Sequence, residues 1–140
     1  MNKCRNNILL VILGYLFIVF LISCSKSNVQ HFSQSIDYCN QATRILNAGG
    51  SYEFINPNDM ETIVDFKKKA LEEARLVDIE DLNLHYPDFG NHYRDEFIKG
   101  LELFIEGFEK NDNLKIIAGQ LLDEKWGEWY EKNVDSIKRR

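Results

Sequence analysis

The densest run of chemistry-bearing side chains in this chain is His85-Tyr86-Pro87-Asp88-Phe89-Gly90-Asn91-His92-Tyr93-Arg94-Asp95-Glu96. On a helix begun at Pro87, Asp88, His92 and either Asp95 or Glu96 share one face, and His85 can swing in from the preceding loop. Imidazole combined with carboxylate is a donor set suited to zinc or another borderline metal. The spacing nevertheless matches no established metal motif. Di-iron bundles need Glu-x-x-His on two helices, and haem attachment needs Cys-x-x-Cys-His; the chain has neither. The competing reading is a helix start, where acids favour the positive end of the helix dipole and the histidines are capped or solvated. Isolated His/Asp spacing usually resolves that way.

A second constellation is aromatic. Trp126, Trp129 and Tyr130 stand at i, i+3 and i+4, so they share a helix face. Such a face can line a pocket for a sugar ring or an apolar ligand, because aromatic rings offer flat area with polar tips. The same spacing also builds an ordinary buried face, the commoner use. Gly127 either permits close packing there or leaves a gap that a ligand fills. Cys39 lies on an apolar stripe with no histidine or cation beside it in the helical register, which points to a buried structural thiol. Glu102, Glu106 and Glu109 form an acidic stripe on an open helix face, where solvation leaves a carboxylate unsuited to acid–base work. There is no glycine-rich phosphate loop, no Gly-x-Ser-x-Gly and no Cys/His nucleophile arrangement. No catalytic residue is assigned, and the expectation is a protein that is not an enzyme.

The elements that must position these groups are helical. Val29, Phe32, Ile36, Cys39, Thr43 and Leu46 recur at steps of three and four, which predicts a first helix over about 29–46, ended by Gly49-Gly50. His31, near its start, is expected to face solvent. Ser51 to Ile55 is expected as a loop whose Tyr52, Phe54 and Ile55 fold back over the core. Pro57 suits a first helical position, and Asn58 with Glu61 has capping-box spacing. A second helix should then run to about Val77, burying Ile63, Phe66, Ala70, Ala74 and Val77 and leaving Lys67-Lys68-Lys69 solvated. Asp78 to Tyr86 is expected as a connection with Leu82 and Leu84 pinned to the core. A third helix from Pro87 to about Lys110 has a broad apolar surface. Its Gly100 and Gly107 suggest close approach of a neighbour, which would offset the ~1 kcal/mol that Gly costs inside a helix. A fourth helix covers about 114–138, with Ile117, Leu121, Leu122, Trp126, Trp129, Tyr130, Val134 and Ile137 inward or partly so. No segment alternates at period two over strand length. The predicted fold is all-α: a four-helix bundle, or an irregular four-helix array.

The first residues are of another kind. Met1 to Asn7 is polar, with Lys3 and Arg5 and no acid; Ile8 to Ile22 is almost wholly apolar. A basic start and a short apolar run form the pattern of a secretory signal. As a helix the run measures about 22 Å, short of the roughly 30 Å hydrocarbon core that a spanning helix must cross. An uncleaved membrane anchor is the alternative. The run ends in Leu21-Ile22-Ser23-Cys24, which resembles the lipobox of bacterial lipoproteins: an aliphatic residue, a loosely specified one, a small one, then Cys. The resemblance covers residues 1–24 alone. It implies a diacylglyceryl group on the Cys24 sulfur, cleavage before Cys24, and a fatty anchor in which each buried methylene contributes about 0.8 kcal/mol. Ser25, where Asp would favour inner-membrane retention in Gram-negative bacteria, implies the outer membrane.

On this reading residues 1–23 are a signal peptide, 24–28 a lipidated cysteine and tether, and 29–140 a single helical domain. Cys4 leaves with the signal and Cys24 is lipidated, so Cys39 remains alone and no intrachain disulfide can form. No cofactor is expected beyond the covalent lipid. Losing Lys3 and Arg5 leaves 15 basic against 22 acidic residues. That balance argues against nucleic acid as a partner, since phosphate binding draws on concentrated Lys and Arg. The expected partners are the membrane, through the lipid, and another envelope or secreted protein. The expected role is a non-enzymatic interaction or accessory module on the periplasmic side of the envelope, with a small-ligand or metal-binding bundle as the alternative.

Overall fold

In a computed structural model, the residues described are 26–49 and 55–138. The signal segment, Cys24, Ser25, loop residues 50–54 and the side chains of 136–138 lie outside them, and with them the expectations for Tyr52, Phe54 and Ile137. The described chain is all-α. Its elements are α1 (Asn28–Gly49), α2 (Pro57–Ala74), α3 (Ile79–His85), α4 (Phe89–His92), a π-helical segment (Tyr93–Ile98), α5 (Lys99–Lys110) and α6 (Asn113–Lys138). The residues joining α4, the π segment and α5 keep right-handed helical torsions, so 89–110 runs as one rod.

Local chemistry sets most boundaries, and it corrects several expectations. The cap of α2 is Asn56 rather than Asn58: its Oδ1 accepts from the Asp59 amide at 2.9 Å, ahead of Pro57. The α2 helix stops at Ala74, and the stretch expected as a connection coils into α3, because Asp78 Oδ1 accepts from the Glu80 and Asp81 amides at 3.0 and 3.2 Å. Leu82 is buried, as expected of that stretch, but Leu84 faces water, since a one-sided helical turn cannot bury residues two apart. The third helix begins at Phe89 and not at Pro87, because Asp88 sits in the left-handed region at φ 63° and breaks the rod there.

The helices pair as two hairpins. α1 lies along α2, and α5 along α6; α2 meets α5, and α6 meets the π segment. Asn28 ties the start of α1 to α3: its Nδ2 donates to Asp81 Oδ2 at 2.6 Å, and its Oδ1 accepts from the Asp78 amide at 2.6 Å. His31, expected at the surface, is instead largely covered and bonds Glu73 at 2.7 Å, with Lys26 on the same carboxylate. In the second hairpin Asn111, left-handed at φ 54°, closes α5. The approach expected of Gly100 and Gly107 is present. A Cβ on Gly119 would stand 2.6 Å from the Gly100 oxygen and the Phe104 nitrogen, and one on Gly107 would stand 2.7 Å from the Ile116 nitrogen. Only hydrogen fits at these crossings.

One core cluster gathers Ala70, Leu71, Ala74, Phe89, Tyr93, Phe97, Leu101, Ile105 and Trp126 around Cys39; a smaller one holds Ala42, Ile63, Val64 and Phe104. Within the larger cluster the Tyr93 hydroxyl meets Ser35 Oγ at 2.6 Å, and Ser35 Oγ donates to the Phe32 carbonyl at 2.7 Å. The chain of bonds satisfies both buried hydroxyls. The architecture is an irregular array rather than a closed bundle, because α1 and α6 meet far less than the other neighbours do.

Candidate functional site

The open side of the array is a trough of about 740 Å³ between α1 and α6. α1 lines it from Ile36 to Asn47 and α6 from Gln120 to Glu131, so it is about 16 Å long at the helical rise of ~1.5 Å per residue. Aromatic packing narrows one end, where the rings of Phe32 and Tyr130 stand 6.3 Å apart. Ile36, Leu46, Ile63, Phe97, Trp126 and Tyr130 form apolar walls; Asn40, Thr43, Asn47, Gln120, Glu124 and Glu131 form a polar rim.

The floor carries three polar groups that α1, α2 and α6 bring together. Lys67 Nζ lies 3.1 Å from Asp123 Oδ2 and 4.7 Å from the centre of the Phe104 ring. Its side chain is only 6 % exposed, so the expectation of a solvated Lys67-Lys68-Lys69 run fails at its first member. Lys67 falls four residues after Ile63 and three before Ala70, squarely on the buried stripe of α2. Cys39 Sγ is 3.9 Å from Asp123 Oδ1. Cys39 is buried, as its stripe implied, but it does have a cation nearby, supplied by tertiary structure. Burial pushes the thiol up to about 11; Lys67 pulls the other way and Asp123 adds to the rise. At neutral pH the thiol is protonated and a poor nucleophile.

The sequence-predicted aromatics divide. Trp126 and Tyr130 reach the trough, Trp126 as a core ring 5 % exposed among Phe89, Tyr93 and Phe97, so it is core and wall together. Trp129 faces away, into a shallower depression with Tyr86, Pro87, Asp88, His92 and Asn133. Gly127 opens on the trough, and a Cβ there would meet no described atom within 4 Å.

The polar cluster is brought together in part. His92 stacks on Trp129 with centroids 4.4 Å apart, and its Nδ1 lies 3.1 Å from Glu96 Oε2. Asp88 reaches Asn91 at 3.5 Å. His85 turns back to the Asp81 carbonyl at 2.8 Å on an exposed face and does not swing towards His92. Among the described residues no three histidine, cysteine or acidic side chains converge as a metal site. The acidic stripe of α5 is engaged in ion pairs: Glu102 with Arg75, Glu106 with Lys110 and Lys115, Glu109 with Lys68.

No described helix is long and apolar enough to cross a membrane. No protein-family model, curated protein or solved structure matches this chain.

Proposed function

We propose that this chain is a lipid-anchored bacterial envelope protein whose small acidic helical domain works as a non-enzymatic interaction module, held by fatty chains on Cys24 and facing the periplasm from the outer membrane. The observation that carries the anchor is the basic start and apolar run ending in Leu21-Ile22-Ser23-Cys24. Support for a binding rather than a catalytic role comes from the trough. It offers apolar walls and a polar rim, the composition of a recognition surface. Its buried polar groups are spent on one another, Lys67 on Asp123, and its thiol is held protonated. Cells carrying the wild-type chain or Cys24→Ala, grown with labelled palmitate, test the anchor. Label is expected on the wild type alone, with the variant accumulating as uncleaved precursor; equal label on both, or normal processing of the variant, would overturn the reading.

A further inference from the structure

We infer that the trough between α1 and α6 is the docking site for an amphipathic helix of about three turns from another protein, with an apolar face and basic residues flanking it. The inference rests on the reading of the domain as an interaction module and names the chemistry of the partner. Three observations converge on it.

The first is shape. The trough is about 16 Å long and bounded by two helices whose described contacts lie on its floor, at Cys39 and Asp123, and at one end, at the rings of Phe32 and Tyr130. A third helix laid there would meet apolar walls at successive turns, the recognition mode in which i, i+3, i+4 and i+7 side chains serve as anchors.

The second is Gly127. A helix-interior glycine costs about 1 kcal/mol against alanine. Gly100, Gly107 and Gly119 each answer that cost with a backbone pressed against them. Gly127 has no such described neighbour and opens on the trough. The same device that lets α5 cross α6 at Gly119 is thus repeated two turns further along α6, on the face left uncovered.

The third is charge. Glu124 and Glu131 stand on the α6 rim and Asp123 below them, whereas the basic group among the lining residues, Lys67, is already engaged with Asp123. The surplus is negative, which suits lysine or arginine flanking the apolar face of the occupant and opposes an acidic one.

The test uses the full chain in nanodiscs of zwitterionic lipid, with empty discs subtracted. The probe is a fluorescent helical peptide carrying leucines at i, i+3, i+4 and i+7 with flanking lysines; its twin carries glutamates instead. Anisotropy is expected to show the lysine peptide bound roughly tenfold or more tightly than its twin, with the preference shrinking in high salt. Gly127→Phe should abolish binding by filling the trough, while circular dichroism shows the helices kept. Glu124→Gln with Glu131→Gln should weaken the lysine peptide several-fold and leave the twin unchanged or tighter. Equal binding of the two peptides, or undiminished binding to Gly127→Phe, overturns the inference. If neither peptide binds, yet an envelope protein is recovered equally with wild type and Gly127→Phe, the module reading stands and the assignment of the trough falls.

Discussion

Gly119 and Gly127 lie on the same helix and should respond to alanine with opposite signs. At either position alanine gains about 1 kcal/mol of helix propensity. At Gly127 nothing described stands within 4 Å of the new Cβ, so that gain should appear nearly whole. At Gly119 the Cβ would fall 2.6 Å from both the Gly100 oxygen and the Phe104 nitrogen. These are backbone atoms of α5, so no side chain can turn aside, and the helices must part by most of an ångström. Overpacking of this kind costs about 1–3 kcal/mol, and here separation also thins the whole α5–α6 contact, so the upper end applies. The net expectation is a loss of about 2 kcal/mol at Gly119 against a gain of about 1 kcal/mol at Gly127. For a domain of roughly 110 residues, 1 kcal/mol moves Tm by about 4 °C. Thermal melts followed by circular dichroism should therefore place Gly119→Ala some ~8 °C below wild type and Gly127→Ala some ~4 °C above. A Gly119→Ala protein as stable as wild type would refute the close crossing of α5 and α6.

The buried hydroxyl chain gives an asymmetric pair. Ser35→Ala strands the Tyr93 hydroxyl in the core and should cost about 1–3 kcal/mol, whereas Tyr93→Phe removes the stranded group and should cost about 1 kcal/mol or less; urea melts that rank the two the other way contradict the bonding. Hydrogen bonds from Lys110 and Lys115 hold the Glu106 carboxyl down at about 2, from an ordinary 4.5. Because the folded value is the lower one, its contribution is complete above 4.5 and is lost as pH falls through about 2. Carboxyl NMR should find a midpoint near 2, and Lys115→Ala should raise it. Glu73 is likewise lowered by Lys26 and then His31, so Lys26→Ala should raise its midpoint; an unchanged midpoint would count against that contact.

Much of the fold was legible because helical periodicity is local. The stripe of Phe32, Ile36 and Cys39 and the glycines at 100 and 107 follow from spacing and from what hydrogen alone permits. Val29, Ile117 and Leu121 sit on or beside the same periodic stripes but are exposed, since periodicity gives a face and not the neighbour that covers it. The helical turn at Asp78 was hidden because one aspartate cap decides it. The trough itself was half visible. Trp126, Tyr130 and Gly127 marked one wall, but the floor depends on Lys67 and Asp123, which lie 56 positions apart. Lys67 was legible in register with Ile63 and Ala70, and the charge run around it masked that signal.

The intact mass of the native protein, extracted from its membrane, bears on every statement about where it works. A chain beginning at Cys24 with the added mass of two or three fatty acyl chains is the expected result. A chain that retains residues 1–23 and carries no acyl mass would mean that the apolar segment itself is the anchor.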